Sequence, residues 1–141
     1  MTEKKILVAS HGHLASGLQS SIQILTGMGD HLQVIDAYVD DSDYTQQISQ
    51  FVAAVRDQPA IIFTDLQGGS VNQKVVLAVA GHPNIMVVTQ MNLAIILAVL
   101  LDNEPLTAAH LDELINQSQV LRLVVAPPED DAKGNENSFF G

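Results

Sequence analysis

Short continuous apolar runs alternate along this chain with segments of helical periodicity, and no other feature restricts the possible fold as much. "KKILVAS" at residues 4–10 and "AIIFTD" at 60–65 are unbroken runs ended by polar or glycine-rich residues. Strands buried on both faces read this way. "LQVIDA" at 32–37 and "NIMVVT" at 84–89 are rich in β-branched residues and read as two more strands. Between them Leu14, Leu18, Ile22 and Leu25 recur at helical spacing, as do Ile48, Phe51, Val52 and Val55. A third helix is expected to start near Ser70 with Val71, Val75, Val76 and Val79 inward. Strand, helix, strand, helix, strand, helix, strand calls for an α/β fold, an open doubly wound sheet of parallel strands with helices on both faces.

Beyond the fourth strand, "LAIILAVLL" at 93–101 is the longest apolar run. A membrane span needs about 18 or more such residues, so this one reads as a buried helix at a subunit contact. Thr107 is a suitable N-cap for a helix running to about residue 118. "QVLRLVV" at 119–125 alternates Val120, Arg122 and Val124, as suits a fifth strand at a sheet edge or one added antiparallel. The 141 residues fit one domain over 1–126, followed by an acidic, proline-containing extension over 127–141 expected to be mobile.

Sixteen acidic residues against six basic ones give a net charge of −10. That balance repels phosphate backbones and anionic lipid, which argues against nucleic-acid or membrane-surface binding, and it would steer in a basic protein partner. The absence of cysteine excludes disulfides, thiolate metal sites and a thiol nucleophile. The first residues run straight into a strand-like segment without a small-residue cleavage pattern, so no signal peptide is read and a cytoplasmic location is expected.

In open α/β sheets the ligand crevice lies beyond the carboxyl ends of the strands, where strand order reverses. For a chain of this size the order 2-1-3-4 puts the reversal between the first and third strands, whose ends carry "SHGH" and "TDLQGGS". His11 is thereby brought near Asp65. A carboxylate can take the proton of one ring nitrogen, fix the tautomer and leave the other nitrogen as nucleophile or base. Gly68 and Gly69 allow a tight turn into the third helix, whose free N–H groups and dipole form an anion site, and Ser70 adds a hydroxyl. Together these parts describe a phosphorylatable histidine with a cradle for phosphoryl oxygens.

Each part alone has a plainer meaning: a strand-end histidine is usually a satisfied polar residue, and Gly-Gly-Ser usually just a turn. Convergence on one crevice favours the chemical reading. A Ser-His-Asp hydrolase built from Ser70, His11 and Asp65 lacks the second glycine of a G-x-S-x-G elbow. "GHLASGLQ" has P-loop glycine spacing without the following lysine. His11-x-His13 suggests a metal pair, yet Gly12 bends the chain and no third ligand is evident, so His13 is read as solvated. His31, His82 and His110 are read as unremarkable loop or helix-surface residues.

"VASHGHLASGL" followed by "IIFTDLQGGSVNQ" resembles the enzyme IIA components of the mannose family of the bacterial sugar phosphotransferase system, over roughly residues 4–125. The resemblance implies that His11 is the phosphoacceptor, taking a phosphoryl group on Nε2 from the phosphocarrier HPr and passing it to a IIB component. It makes Asp65 the orienting carboxylate and Gly68, Gly69 and Ser70 the phosphoryl-binding loop. It also implies the order 2-1-3-4, with a fifth antiparallel strand exchanged between subunits of a homodimer, here "QVLRLVV". No metal or nucleotide cofactor is called for, since a phosphohistidine donor is already activated, and contact with a membrane permease would run through IIB only. The family pattern is departed from at Val71, where proline is common, at Gln67, and at Gln90 and Ala94, which replace the glycine and proline of a G-x-N-x-P stretch. Two neighbouring readings are the phosphotransfer subunit of a dihydroxyacetone kinase and a regulatory module that keeps the phosphohistidine site.

Overall fold

The structure, a computed structural model, describes residues 4–128. Strands β1 (Lys5–His11), β2 (Leu32–Ala37), β3 (Ala60–Thr64) and β4 (Ile85–Val88) form one parallel sheet in the order β2-β1-β3-β4. Helices α1 (Leu14–Thr26), α2 (Tyr44–Val55), α3 (Ser70–Val79), α4 (Leu93–Leu101) and α5 (Ala108–Asn116) complete the chain, with a short 3-10 turn at Gly29–His31. The expected α/β architecture and strand order are present.

Alternation along the strands divides the core into two layers. Leu7, Ala9, Ile35 and Ile62 face α2 and α3, meeting Ile48, Phe51, Val71 and Val75. Ile6, Val8, Ile61 and Phe63 face the other way, onto Ala15 and Ile22 of α1, Ile96 and Val99 of α4 and Leu111 of α5. All five residues of β3 are buried because helices cover it on both sides. Fully burying one such aliphatic side chain is worth roughly 1.5–3 kcal/mol, so the central strands form the rigid platform for the loops at their carboxyl ends.

Helix phases depart from expectation in two places. In α1 the buried residues are Ala15 and Ile22, while Leu14 and Leu25 point outward. Small Ala15 sits against the sheet with Ile22 and half-buried Leu18, so spacing of the larger apolar residues places the middle of the face and misses its ends. In α3 Val71 and Val75 are fully buried but Val76 is exposed. Thr107 caps α5 by accepting the His110 N–H at 3.1 Å, as its position suggested.

Residues 119–125 differ from the expectation of a fifth strand closing the sheet, since they join no strand of this chain. Val120, Leu121, Leu123, Val124 and Val125 are 73–90% exposed. The Asn92 side chain, which also caps α4, donates to the Ser118 carbonyl at 2.7 Å and fixes where the segment leaves the body. A strand needs a partner for its backbone groups, and no strand among the described residues supplies one. The extension expected to be mobile falls, from residue 129 on, outside the described residues. Among the described residues no helix is long and apolar enough to cross a membrane.

Candidate functional site

Parallel pairing of β1 with β3, Ala9 opposite Thr64, brings the two strand ends together at the switch point. Asp65 Oδ2 accepts the His11 backbone N–H at 2.8 Å and lies 2.9 Å from His11 Nδ1. An ionised carboxylate only accepts, so Nδ1 carries a proton, and in the neutral ring Nε2 keeps its lone pair. Burial by itself pushes the Asp65 carboxyl up, but the His11 amide and ring bonds, with the attraction of the ring's charge, outweigh it and hold the pKa below the usual value. Asp65 therefore stays ionised and fixes both the tautomer and the direction of the ring. Its Oδ1 is buried without a hydrogen bond among the described residues.

Ser70 Oγ stands 3.2 Å from Nε2. Ser70 is the first residue of α3, so the free amides of a helix N-terminus open beside the nucleophilic nitrogen. Gly68 has φ +79°, a left-handed conformation that favours glycine. Gly69 serves close approach instead: a Cβ there would lie 3.2 Å from the Leu66 carbonyl oxygen and 3.3 Å from His11 Cε1. Buried Thr64 donates to Asn72 Oδ1 at 2.8 Å and ties the first turn of α3 to the end of β3. Val71, in the place where the family often has proline, is fully buried and contributes to the core. All five residues singled out from the sequence, His11, Asp65, Gly68, Gly69 and Ser70, thus gather at the carboxyl ends of β1 and β3.

Tyr38 was missed by sequence reasoning. The turn after β1 is tied to the end of β2 by the Gly12 N–H to Ala37 carbonyl bond at 2.8 Å, so the residue after Ala37 borders the same crevice. The Tyr38 ring stacks on His11, centroids 5.5 Å apart and planes 25° apart. Its hydroxyl lies 2.8 Å from Ser70 Oγ and 3.0 Å from the Tyr44 hydroxyl. The Ser70 hydroxyl foremost, then that of Tyr44 and the charge of Lys74, hold the Tyr38 phenol below its ordinary pKa. Burial, and the hydrogen bond that Tyr44 gives to Tyr38, push Tyr44 up. Tyr38 adopts φ +71°, a conformation costing a residue with a Cβ roughly 1–2 kcal/mol. Gln90 is similar at φ +54°, which is why a glycine suits that position in the resembling pattern.

His13 is 78% exposed, and its Nδ1 lies 3.1 Å from Asp36 Oδ2. The His11 and His13 rings therefore turn to different carboxylates, and the pair does not converge on one point. Asp36 was also missed: it accepts the Ser16 N–H at 3.0 Å and the Ser16 hydroxyl at 2.6 Å, while buried Ser10 accepts the Ala15 N–H at 2.8 Å. These bonds anchor the start of α1 behind His11. His110 is no plain surface residue either. Its Nε2 lies 2.9 Å from Asp102 Oδ1, and Lys4 Nζ lies 3.5 Å from Asp102 Oδ2. Among the described residues Asp102, Glu104 and His110 bring ligand-type atoms within 4.8 Å of one another, and the Lys4 ammonium already supplies positive charge there.

Residues 5–119 match the family model described as the PTS system fructose IIA component. No curated protein matches the chain significantly. Among solved structures, a protein described as a phosphoenolpyruvate-dependent sugar phosphotransferase system permease from Klebsiella pneumoniae is 30% identical, with TM-score 0.68 over 83% of this chain and 84% of that one. The mannose/sorbose-specific IIA subunit from Enterococcus faecalis shares the fold at 21% identity, with TM-score 0.71 over 92% and 98% of the two chains. A IIA protein associated with the fucose utilization operon of Streptococcus pneumoniae does so at 23% identity, with TM-score 0.71 over 83% and 89%. With a family match running from β1 to just past α5, the chain belongs to the IIA components of the sugar phosphotransferase system, of the mannose and fructose type.

Proposed function

We propose that the protein is a phosphohistidine relay, in which His11 takes a phosphoryl group from phospho-HPr and passes it to a IIB component during sugar uptake. The observation that carries this reading is the Asp65 carboxylate 2.9 Å from Nδ1, which leaves the Nε2 lone pair free beside Ser70 and the N-terminus of α3. Nε2 attacks phosphorus in line, and the bond to the donor's histidine breaks as the bond to His11 forms. Positive charge arising on the ring is met by Asp65. Charge on the phosphoryl oxygens is met by Ser70 and the amides of the Gly68–Ser70 turn.

The family match favours the sugar-transport reading over a dihydroxyacetone kinase subunit. The reading places the protein in the cytoplasm, reaching a membrane permease through IIB alone. The exposed apolar segment 119–125 supports a homodimer in which it pairs with the partner's sheet. Incubation with phosphoenolpyruvate, enzyme I and HPr should yield acid-labile phosphate on the wild type and none on His11→Ala. Equal label on the His11→Ala variant would remove His11 from the mechanism, and no label on the wild type would favour a regulatory module.

A further inference from the structure

We propose that the Tyr38 hydroxyl is a direct hydrogen-bond donor to the phosphoryl group carried on His11, so that the site uses a residue of the β2 loop as well as the α3 turn. The inference rests on the phosphocarrier reading and names a ligand contact within it.

The polarity of the hydroxyl chain leads there. Nε2 of His11 holds a lone pair, so across the 3.2 Å contact Ser70 must donate. The Ser70 oxygen is then open to accept, and Tyr38 donates to it across 2.8 Å while accepting from Tyr44 across 3.0 Å. Hydroxyl protons are thereby lined up toward the nucleophilic nitrogen from Tyr44, Tyr38 and Ser70. Phosphorylation uses up the lone pair on Nε2 and leaves the Ser70 proton without its acceptor. The same event brings three strong acceptor oxygens to the place where Ser70 stands. Tyr38, stacked on the imidazole and within two hydrogen-bond lengths of Nε2, can turn its proton from Ser70 to a phosphoryl oxygen without moving its ring. Its left-handed backbone at φ +71° is what holds the ring over His11, as expected for strain kept at a functional site.

The test charges the protein with phosphoramidate, which needs no protein donor: the phosphorus–nitrogen bond of the reagent breaks, His11 Nε2 takes the phosphoryl group, and ammonia leaves. The phosphorus NMR resonance absent from His11→Ala belongs to His11, and its shift is followed against pH in the wild type and in Tyr38→Phe. Other groups near the hydroxyl are His11 on β1, Asp65 after β3, Tyr44 on α2 and Lys74 on α3, and all are common to both proteins. Phenylalanine keeps the stack and loses the hydroxyl, the donor toward Ser70 together with the acceptor for Tyr44. A donor that favours the dianion lowers the phosphoryl titration midpoint, so the variant should titrate about one pH unit higher, a tenfold weaker hold on the dianion. Equal midpoints in the two proteins would overturn the Tyr38 contact while leaving the phosphocarrier reading intact. A wild type with no His11 resonance would overturn both.

Discussion

Asp65→Asn separates charge from geometry in this site. Asp65 Oδ2 accepts from both the His11 backbone amide and the ring. The backbone N–H requires an acceptor, so an asparagine is held with its oxygen in the same place and the tautomer of His11 survives. What is lost is the negative charge opposite the ring at the moment the ring becomes positive. At 2.9 Å a full charge pair is worth about 6 kcal/mol at an effective dielectric of 20 and about 1.4 kcal/mol in bulk water. The His11 side chain is 42% exposed and that of Asp65 12%, so the screened end of that range applies, about 2 kcal/mol. That corresponds to roughly a 30-fold fall in the equilibrium between phosphorylated protein and donor. Quench-flow transfer from labelled phospho-HPr, read alongside a thermal melt, measures it. A melt like the wild type with a transfer equilibrium constant about 30-fold lower supports electrostatic stabilisation by Asp65. Unchanged transfer would refute the reasoning, and Asp65→Ala should lose more because ring orientation goes as well.

Gly69→Ala places a methyl 3.3 Å from His11 Cε1 and 3.2 Å from the Leu66 carbonyl oxygen. The ring should be displaced and phosphotransfer should fall about tenfold, with circular dichroism unchanged; wild-type rates would show that the ring tolerates the contact. His110 has its pKa raised, chiefly by the bond to Asp102. Its contribution to stability is therefore complete below the unfolded value of about 6.5 and is lost as pH rises through the higher folded value. Melting temperatures of wild type and His110→Gln should converge as pH rises above neutrality, and parallel curves would dismiss the coupling.

The strands and helices were legible because many residues vote together on chain-wide alternation, and the order 2-1-3-4 came from the size of the chain and the family resemblance. His11 and Asp65 were legible because topology alone brings the ends of β1 and β3 side by side. What escaped was what a single residue decides. Ala15 carries too little hydrophobicity to mark the buried face of α1, yet its small size is what lets the helix approach the sheet. Tyr38 belongs to no periodic pattern, and a tyrosine at φ +71° contradicts the local preference by which sequence is read. His110 looked like helix surface because the turn that brings Asp102 back to it has no signature in spacing.

Of these misses Tyr38 is the one that lies at the site. The buried aliphatic layers on the two faces of the sheet satisfy local preference and packing together, as a foldable sequence should. Among the described residues three non-glycine residues violate local preference with positive φ: Tyr38 and Gln90 in loops that follow a strand at the same end of the sheet, and Arg56 at the end of α2. Strain of this size persists only where the surroundings over-determine it, and for Tyr38 the surroundings are His11, Ser70 and Tyr44. Val71 shows how close the two regimes come: one residue beyond the site serine, it is already fully in the core. Its backbone keeps an N–H that a proline in that place would lack, so the departure from the family pattern adds a donor at the helix N-terminus without withdrawing anything from the packing. Valine in place of the family's proline is therefore compatible with an anion site at this turn.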